Sequence, residues 1–165
     1  MNETEFETIF EAHKDAVYGF AWRMTGVPAV AEEIAQECFL ALLRAPGKYD
    51  GARGSMRSWL LGAARNQILK RWRAEGRWTA LDDDTVATAA PLPDGATVKR
   101  VAEAVQALSP LQREIVILIE YEGMTLEEAA RAVEAEVGTV KARLHRAREN
   151  LRRLLEPLRS ANHDR

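Results

Sequence analysis

Residues 125–148 read TLEEAARAVEAEVGTVKARLHRAR, and this stretch decides the fold class. Thr125 and Glu128 have the spacing of a capping box, which predicts a short helix over residues 126–133. A break at 134–136 follows. A second helix then carries Val137, Val140, Leu144, Leu151, Leu154, Leu155 and Leu158 at helical spacing. With about 100° of rotation per residue, Val137, Leu144, Ala147 and Leu151 cluster around Val140 on one face. Ala142, His145, Arg146 and Glu149 fall on the opposite face, and Lys141, Arg143 and Arg148 flank it. Two helices joined by a tight turn, the second one basic, fit a helix-turn-helix. Its apolar stripe docks the helix on its own domain, its outward side chains reach base edges and its flanks reach phosphates. Charge pattern alone fits a solvated cationic face equally well; the capped helix immediately before it favours DNA. His145 has no partner at metal-ligand spacing and reads as a groove-facing or solvent residue.

Outward from this motif, the periodicity stays helical. Thr4 and Glu7 form a second capping-box pattern, ahead of Phe6, Ile9, Phe10, Val17, Phe20 and Met24. Gly26 ends that helix, and Pro28 suits the first turn of the next, which carries Val30, Ile34, Cys38 and Leu42, with Phe39 beside them. Residues 45–54 are rich in Gly and Pro and read as a loop. Ser55 caps a third helix, running to about Arg73 with Met56, Trp59, Leu60 and Ala63 inward. Residues 76–96 lose all periodicity and carry three consecutive Asp and two Pro, so they read as a flexible acidic linker. Helical spacing resumes with Val98, Val101, Ala102, Val105 and Leu108. Ser109 and Gln112 repeat the capping-box spacing before Leu111, Ile115, Val116 and Ile119, and residues 122–124 form a turn. The predicted fold is all-α: two small helical domains joined by the linker, the C-terminal one a helix-turn-helix.

Composition narrows the function. The chain has 165 residues, 47% hydrophobic and 29% charged, which is a globular balance. The single cysteine, Cys38, excludes an internal disulfide and a cysteine-based zinc site, and His13, His145 and His163 are scattered. No metal or other cofactor is expected. No nucleophile, paired-carboxylate or phosphate-loop pattern points to an enzyme or a small-molecule substrate. The first residues are acidic without a signal-peptide pattern, and no apolar run approaches the roughly 18 residues of a membrane span. A cytoplasmic protein without direct membrane insertion is expected.

The net charge of −2 conceals a block pattern. Residues 1–44 hold 3 basic and 8 acidic side chains, whereas residues 45–78 hold 8 basic and 2 acidic. Residues 79–98 carry four Asp and no base, and residues 99–137 carry 4 basic against 8 acidic side chains. Residues 138–165 return to 8 basic against 3 acidic. Binding to a polyanion follows local potential, so two basic blocks outweigh a near-neutral sum.

Residues 108–154, LSPLQREIVILIEYEGMTLEEAARAVEAEVGTVKARLHRARENLRRL, resemble the C-terminal domain of extracytoplasmic-function (group IV) sigma factors, most closely over Val137–Arg148. In the N-terminal part, Ala31–Leu40 resembles the family's A-E-D-L-V-Q-E-x-F-L. Tyr49–Leu60 resembles its Y-D-x-x-x-G-S-F-R-x-W-L, and Ala64-Arg65-Asn66 the A-R-N that follows. The sequence departs from the pattern at Val30, at Ala142 in place of a common serine, and in lacking a glycine over residues 132–136.

The resemblance implies a region 2 domain over 1–75, the linker over 76–96 and a region 4 helix-turn-helix domain over 97–165. It implies core RNA polymerase, promoter DNA and an anti-sigma factor as partners. Glu32, Glu33, Gln36, Glu37 and Leu40 would meet polymerase; their pattern alone favours an ordinary acidic amphipathic helix, and the resemblance reverses that reading. Arg57, Arg65, Asn66, Lys70, Arg71 and Arg73 would serve minus-10 recognition and melting, with Asn66 on a base and the cations on phosphates. Trp59 and Trp72 are the aromatics of this block; Trp59 reads as core or as a stacking surface. Thr139, Lys141, Ala142, Arg143, His145 and Arg146 would read the minus-35 element, with Arg146 suited to a guanine and the helix start near Gly138 to a phosphate.

Overall fold

A computed structural model describes the backbone of residues 1–76 and 97–163, with side chains through Glu156. Apart from Gly76, the linker expected over 76–96 lies outside the described residues, as do the side chains of Leu158 and His163. The described elements are helical: α1 (Glu3–Thr25), α2 (Pro28–Arg44), a short 3-10 turn (Pro46–Lys48), α3 (Met56–Ala74), α4 (Thr97–Ala107), α5 (Pro110–Val116), a π-helical turn (Ile117–Tyr121), α6 (Leu126–Ala132) and α7 (Val137–His163).

The caps explain most boundaries. α1 begins two residues earlier than the Thr4–Glu7 spacing predicts, because Asn2 takes the cap. Its side chain accepts from the Glu5 N–H at 2.8 Å, and the Glu5 carboxylate accepts from the Asn2 N–H at 3.0 Å. The two pairs have the same spacing, and the earlier one adds helical residues at no further nucleation cost. Gly26 closes α1 at φ 72°, a left-handed conformation that glycine adopts without a Cβ penalty. Ser55 caps α3 by accepting from the Ser58 N–H at 3.1 Å, and Thr125 forms the predicted capping box with Glu128. Ser109 sits at the start of α5 but makes no side-chain cap. Gln112, its expected partner, accepts instead from the Asn150 amide at 2.8 Å and so ties α5 to α7.

α1, α2 and α3 pack on one another around Val17, Phe20, Met24, Ile34, Leu42, Leu60 and Ile68, all buried. Full burial of such side chains stabilises the fold by about 1.5–3 kcal/mol each. Cys38 lies in this core, and burial pushes its thiol up to about 12, so it is an inert packing residue. The inward face of α3 differs from the expected one. Met56, Trp59 and Ala63 are half-buried, while Leu60, Leu61, Ala64, Ile68, Leu69 and Trp72 form the core side. α3 meets α1 and α2 on one side and α6 on another, so its covered arc is wider than one stripe. Trp72 therefore packs inside rather than offering a stacking surface.

The two segments share a continuous core: Ile115, Leu118, Met124 and Val140 belong to the same buried cluster as Phe20 and Leu60. Polar groups seal the seam. Gln106 donates to the carbonyl of Arg23 and Arg113 to that of Met24, so the open C-terminal carbonyls of α1 are satisfied by the other segment. Arg113 also donates to the carbonyls of Gln106 at 2.7 Å and Leu108 at 3.0 Å.

Candidate nucleic-acid interface

α6 and α7 form the predicted helix-turn-helix. Val140, Leu144 and Ala147 are buried against their own segment, so the opposite side of α7 faces out. Thr139, Lys141, Ala142, His145 and Arg146 are exposed there, and Arg143 is half-buried at the edge. Val137, expected inward, is 39% exposed, because it begins α7 ahead of the first packed turn. The turn lacks glycine, and Glu134 adopts φ 54° in its place. That left-handed backbone costs a residue with a Cβ roughly 1–2 kcal/mol. The Ala135 N–H donating to the Ala130 carbonyl at 3.0 Å holds the turn. Arg148 is engaged within its own segment, its Nε donating to Glu120 at 3.0 Å.

The second basic block lies on and beside α3. A cleft of about 520 Å³ opens between the loop before α3 and the end of α6. Lys48, Arg53, Trp59 and Asn66 line one side, Arg131 and Glu134 the other. The loop wall is internally braced. The Tyr49 hydroxyl donates to the Gly54 carbonyl at 3.2 Å, Asp50 accepts from the Ala52 N–H at 3.0 Å, and the Tyr49 ring meets Trp59 edge-on at 6.3 Å. Trp59 is thus half-buried as a cleft wall, between the core and stacking alternatives. Asn66, Lys70 and Arg73 are exposed.

Arg57, Arg65 and Arg71 are placed differently. Arg65 is buried, donating from Nε and Nη2 to the two oxygens of Glu114 at 2.7 and 3.3 Å. Glu114 is fully buried, and desolvation raises its carboxyl above the ordinary range against the pull of Arg65 and Arg143. Arg57 lies 4.0 Å from Glu122, whose carboxyl burial also raises. His13 is held below the ordinary imidazole value by burial and by Arg57. Arg71 donates to Glu33 on α2 at 2.8 Å.

Glu32, Glu33, Gln36, Glu37 and Leu40 share the exposed side of α2, opposite Ile34 and Cys38, and Leu40 is 38% exposed. Three faces result: an acidic one with an apolar anchor on α2, a basic one on α3 and a basic one on α7.

This arrangement has counterparts among known proteins. The family model for Sigma-70 region 2 matches residues 9–78, and that for Sigma-70 region 4 matches residues 99–151. The RNA polymerase sigma factor CarQ of Myxococcus xanthus is 34% identical, over 93% of this chain and 90% of its own. The chain belongs to the extracytoplasmic-function (ECF) RNA polymerase sigma factors. The ECF sigma factor SigK of Mycobacterium tuberculosis is 31% identical over 94% of this chain and 88% of its own. Among solved structures, the sigma factor RpoE of Bartonella quintana, in complex with the anti-sigma factor NepR, superposes with a TM-score of 0.75 at 26% identity. It covers 92% of this chain and 97% of its own. CnrH, in complex with the cytosolic domain of CnrY, gives a TM-score of 0.70 at 27% identity, covering 94% and 90%.

The all-helical fold of this sigma factor and its helix-turn-helix thus agree with the sequence reading. No helix among its described residues is long and apolar enough to cross a membrane. The contacts between segments are what sequence reasoning missed: Glu114 and Glu122 on Arg65 and Arg57, and Arg131 donating to the Arg53 carbonyl at 2.7 Å. One signal was available. Arg113-Glu114 interrupts the apolar run 111–119, and charges inside a buried stripe require partners.

Proposed function

We propose that this chain binds core RNA polymerase through the exposed side of α2, directs it to promoters and performs no bond chemistry itself. Residues 1–75 serve polymerase binding and the minus-10 region, 97–165 the minus-35 element, and 76–96 the connection between them. Family membership supports the general role. The observation carrying the residue assignment is the outward side of α7, where Thr139, Lys141, Ala142, His145 and Arg146 stand exposed over a buried apolar stripe. A helix start with free N–H groups and basic flanks positions such a helix on phosphates, and Arg146 then reaches a base edge. On α3, Asn66 contacts an unpaired base while Lys70, Arg71 and Arg73 follow the strand; Arg57 and Arg65 join them once released from Glu122 and Glu114. An anti-sigma factor is the proposed regulatory partner, by similarity to the RpoE–NepR complex. The test is co-purification with core polymerase followed by run-off transcription on templates selected from random duplexes by the holoenzyme. Association and selective initiation are expected; absence of polymerase association overturns the proposal.

A further inference from the structure

We propose that Glu149 is a positioning residue of the upstream-reading face: it holds His145 as a hydrogen-bond acceptor, so that this corner of α7 selects a base with an exocyclic amino group and rejects one with a keto oxygen. The inference rests on the α7 role proposed above and names a chemical specificity within it. At about 100° per residue, Ala142, His145, Arg146 and Glu149 share one arc of α7, and all four are exposed. The neighbouring cations are turned aside: Arg148 donates to Glu120 at 3.0 Å, and Arg143 is half-buried. The outward polar groups of this arc are therefore few, and one of them is a carboxylate. In a face turned to a polyanion a carboxylate weakens binding unless it makes a specific contact. Here the contact is with His145, whose Nε2 lies 3.3 Å from the Glu149 Oε1, one turn along the helix.

An ionised carboxylate only accepts, so the imidazole is the donor and its Nε2 bears the proton. In the neutral ring Nδ1 is then a bare acceptor. With the N–H committed to Glu149, a lone pair is what His145 offers to a base edge. In the major groove adenine N6 and cytosine N4 are N–H donors, whereas guanine O6 and thymine O4 are acceptors. His145 held in this way gains a hydrogen bond from adenine or cytosine and meets lone-pair repulsion from guanine or thymine. Arg146, on the same arc, has the opposite character, because its guanidinium only donates and suits guanine. Two adjacent side chains thus select opposite base chemistries, a guanine and an amino base at neighbouring positions. Without Glu149 the imidazole N–H is free to turn to a keto oxygen, and the discrimination is lost.

The test uses holoenzyme assembled from core polymerase and the full chain at about pH 8, where an ordinary imidazole is neutral. Run-off transcription is compared on templates carrying each of the four bases in turn at every upstream position. With the wild-type chain, one position should favour adenine or cytosine over guanine or thymine at least about fivefold, the worth of one hydrogen bond, and Glu149→Ala should bring that ratio below about twofold. His145→Ala should do the same, and the double variant should go no further. A wild-type chain with no such position overturns the proposal, as does an unchanged ratio in Glu149→Ala. A further drop in the double variant also overturns it, because Glu149 would then act other than through His145. The imidazole nitrogen shifts of the isotopically labelled free chain, assigned with His145→Ala, give a direct reading. They should show a protonated Nε2 and a bare Nδ1; a protonated Nδ1 overturns the proposal. Arg146→Ala separates the failures. If it relaxes the guanine position while Glu149→Ala changes nothing, this inference alone fails; if neither changes selection, the α7 assignment itself is lost.

Discussion

The basic faces of α3 and α7 look alike in charge, yet the fold treats them in opposite ways. On α7, His145 and Arg146 stand in solvent, and the nearest anion to His145 is Glu149 one turn along the same helix, at 3.3 Å. On α3, Arg65 is removed from solvent and paired with a carboxylate 49 residues away. α7 presents Lys141 and Arg146 while Glu120 holds Arg148; α3 has three arginines, Arg57, Arg65 and Arg71, held by the rest of the chain. A basic block in a sequence is thus a supply of charge, and what packs across it decides whether that charge is available.

The largest expected effect breaks this comparison at Arg65. Arg65→Ala leaves the Glu114 carboxylate buried without its fork and should cost about 3–5 kcal/mol, read as a lower urea midpoint. Arg146→Ala should stay within about 0.5 kcal/mol of wild type in the same measurement. Equal shifts would mean the two faces do not differ in burial.

In promoter selection the ranking reverses for α7. Arg146→Ala should lose about 1–3 kcal/mol of discrimination at one upstream base pair, with polymerase co-purification unchanged. Parallel loss of both activities would contradict the assignment of α7. Leu40→Asp provides the mirror experiment on α2. Weaker polymerase binding by about 1–2 kcal/mol, roughly five- to thirtyfold, is expected with unchanged helical circular dichroism. A pull-down at wild-type strength would remove Leu40 from that surface.

Two smaller changes sharpen how each segment is held. Glu134→Gly relieves the left-handed backbone of the helix-turn-helix turn and should raise stability by about 1 kcal/mol. A loss would show that the Glu134 side chain matters more than its φ. In the N-terminal segment, burial and Arg57 favour neutral His13, so its folded pKa is depressed below the unfolded one. Its contribution is present above the unfolded value and fades as pH falls toward the folded one, so stability should decline across that acidic window. His13→Gln should flatten that part of the profile; an unaltered slope would assign it to other groups.

Much of the fold was legible because its signals are local. Gly26, Ser55 and the Thr125–Glu128 box mark helix ends through groups within four residues of one another, and the Val140–Leu144–Ala147 stripe follows from helical rotation alone. The same logic failed where a second partner intervened. Gln112 was drawn to Asn150 rather than to a cap, and α3 turned a wider face inward because α6 packs on it.

The sequence alone determined the helices, most of their ends, the helix-turn-helix and family membership, since all of these depend on residue order over a few turns. Tertiary structure decided which cations remain available. Arg65 and Arg146 are equivalent as charges in a list, and only the meeting of α3 with α5 and α6 separates them. A guanidinium in water and one desolvated against a carboxylate differ through the dielectric and the donors around them, and those are set by neighbours distant in the chain.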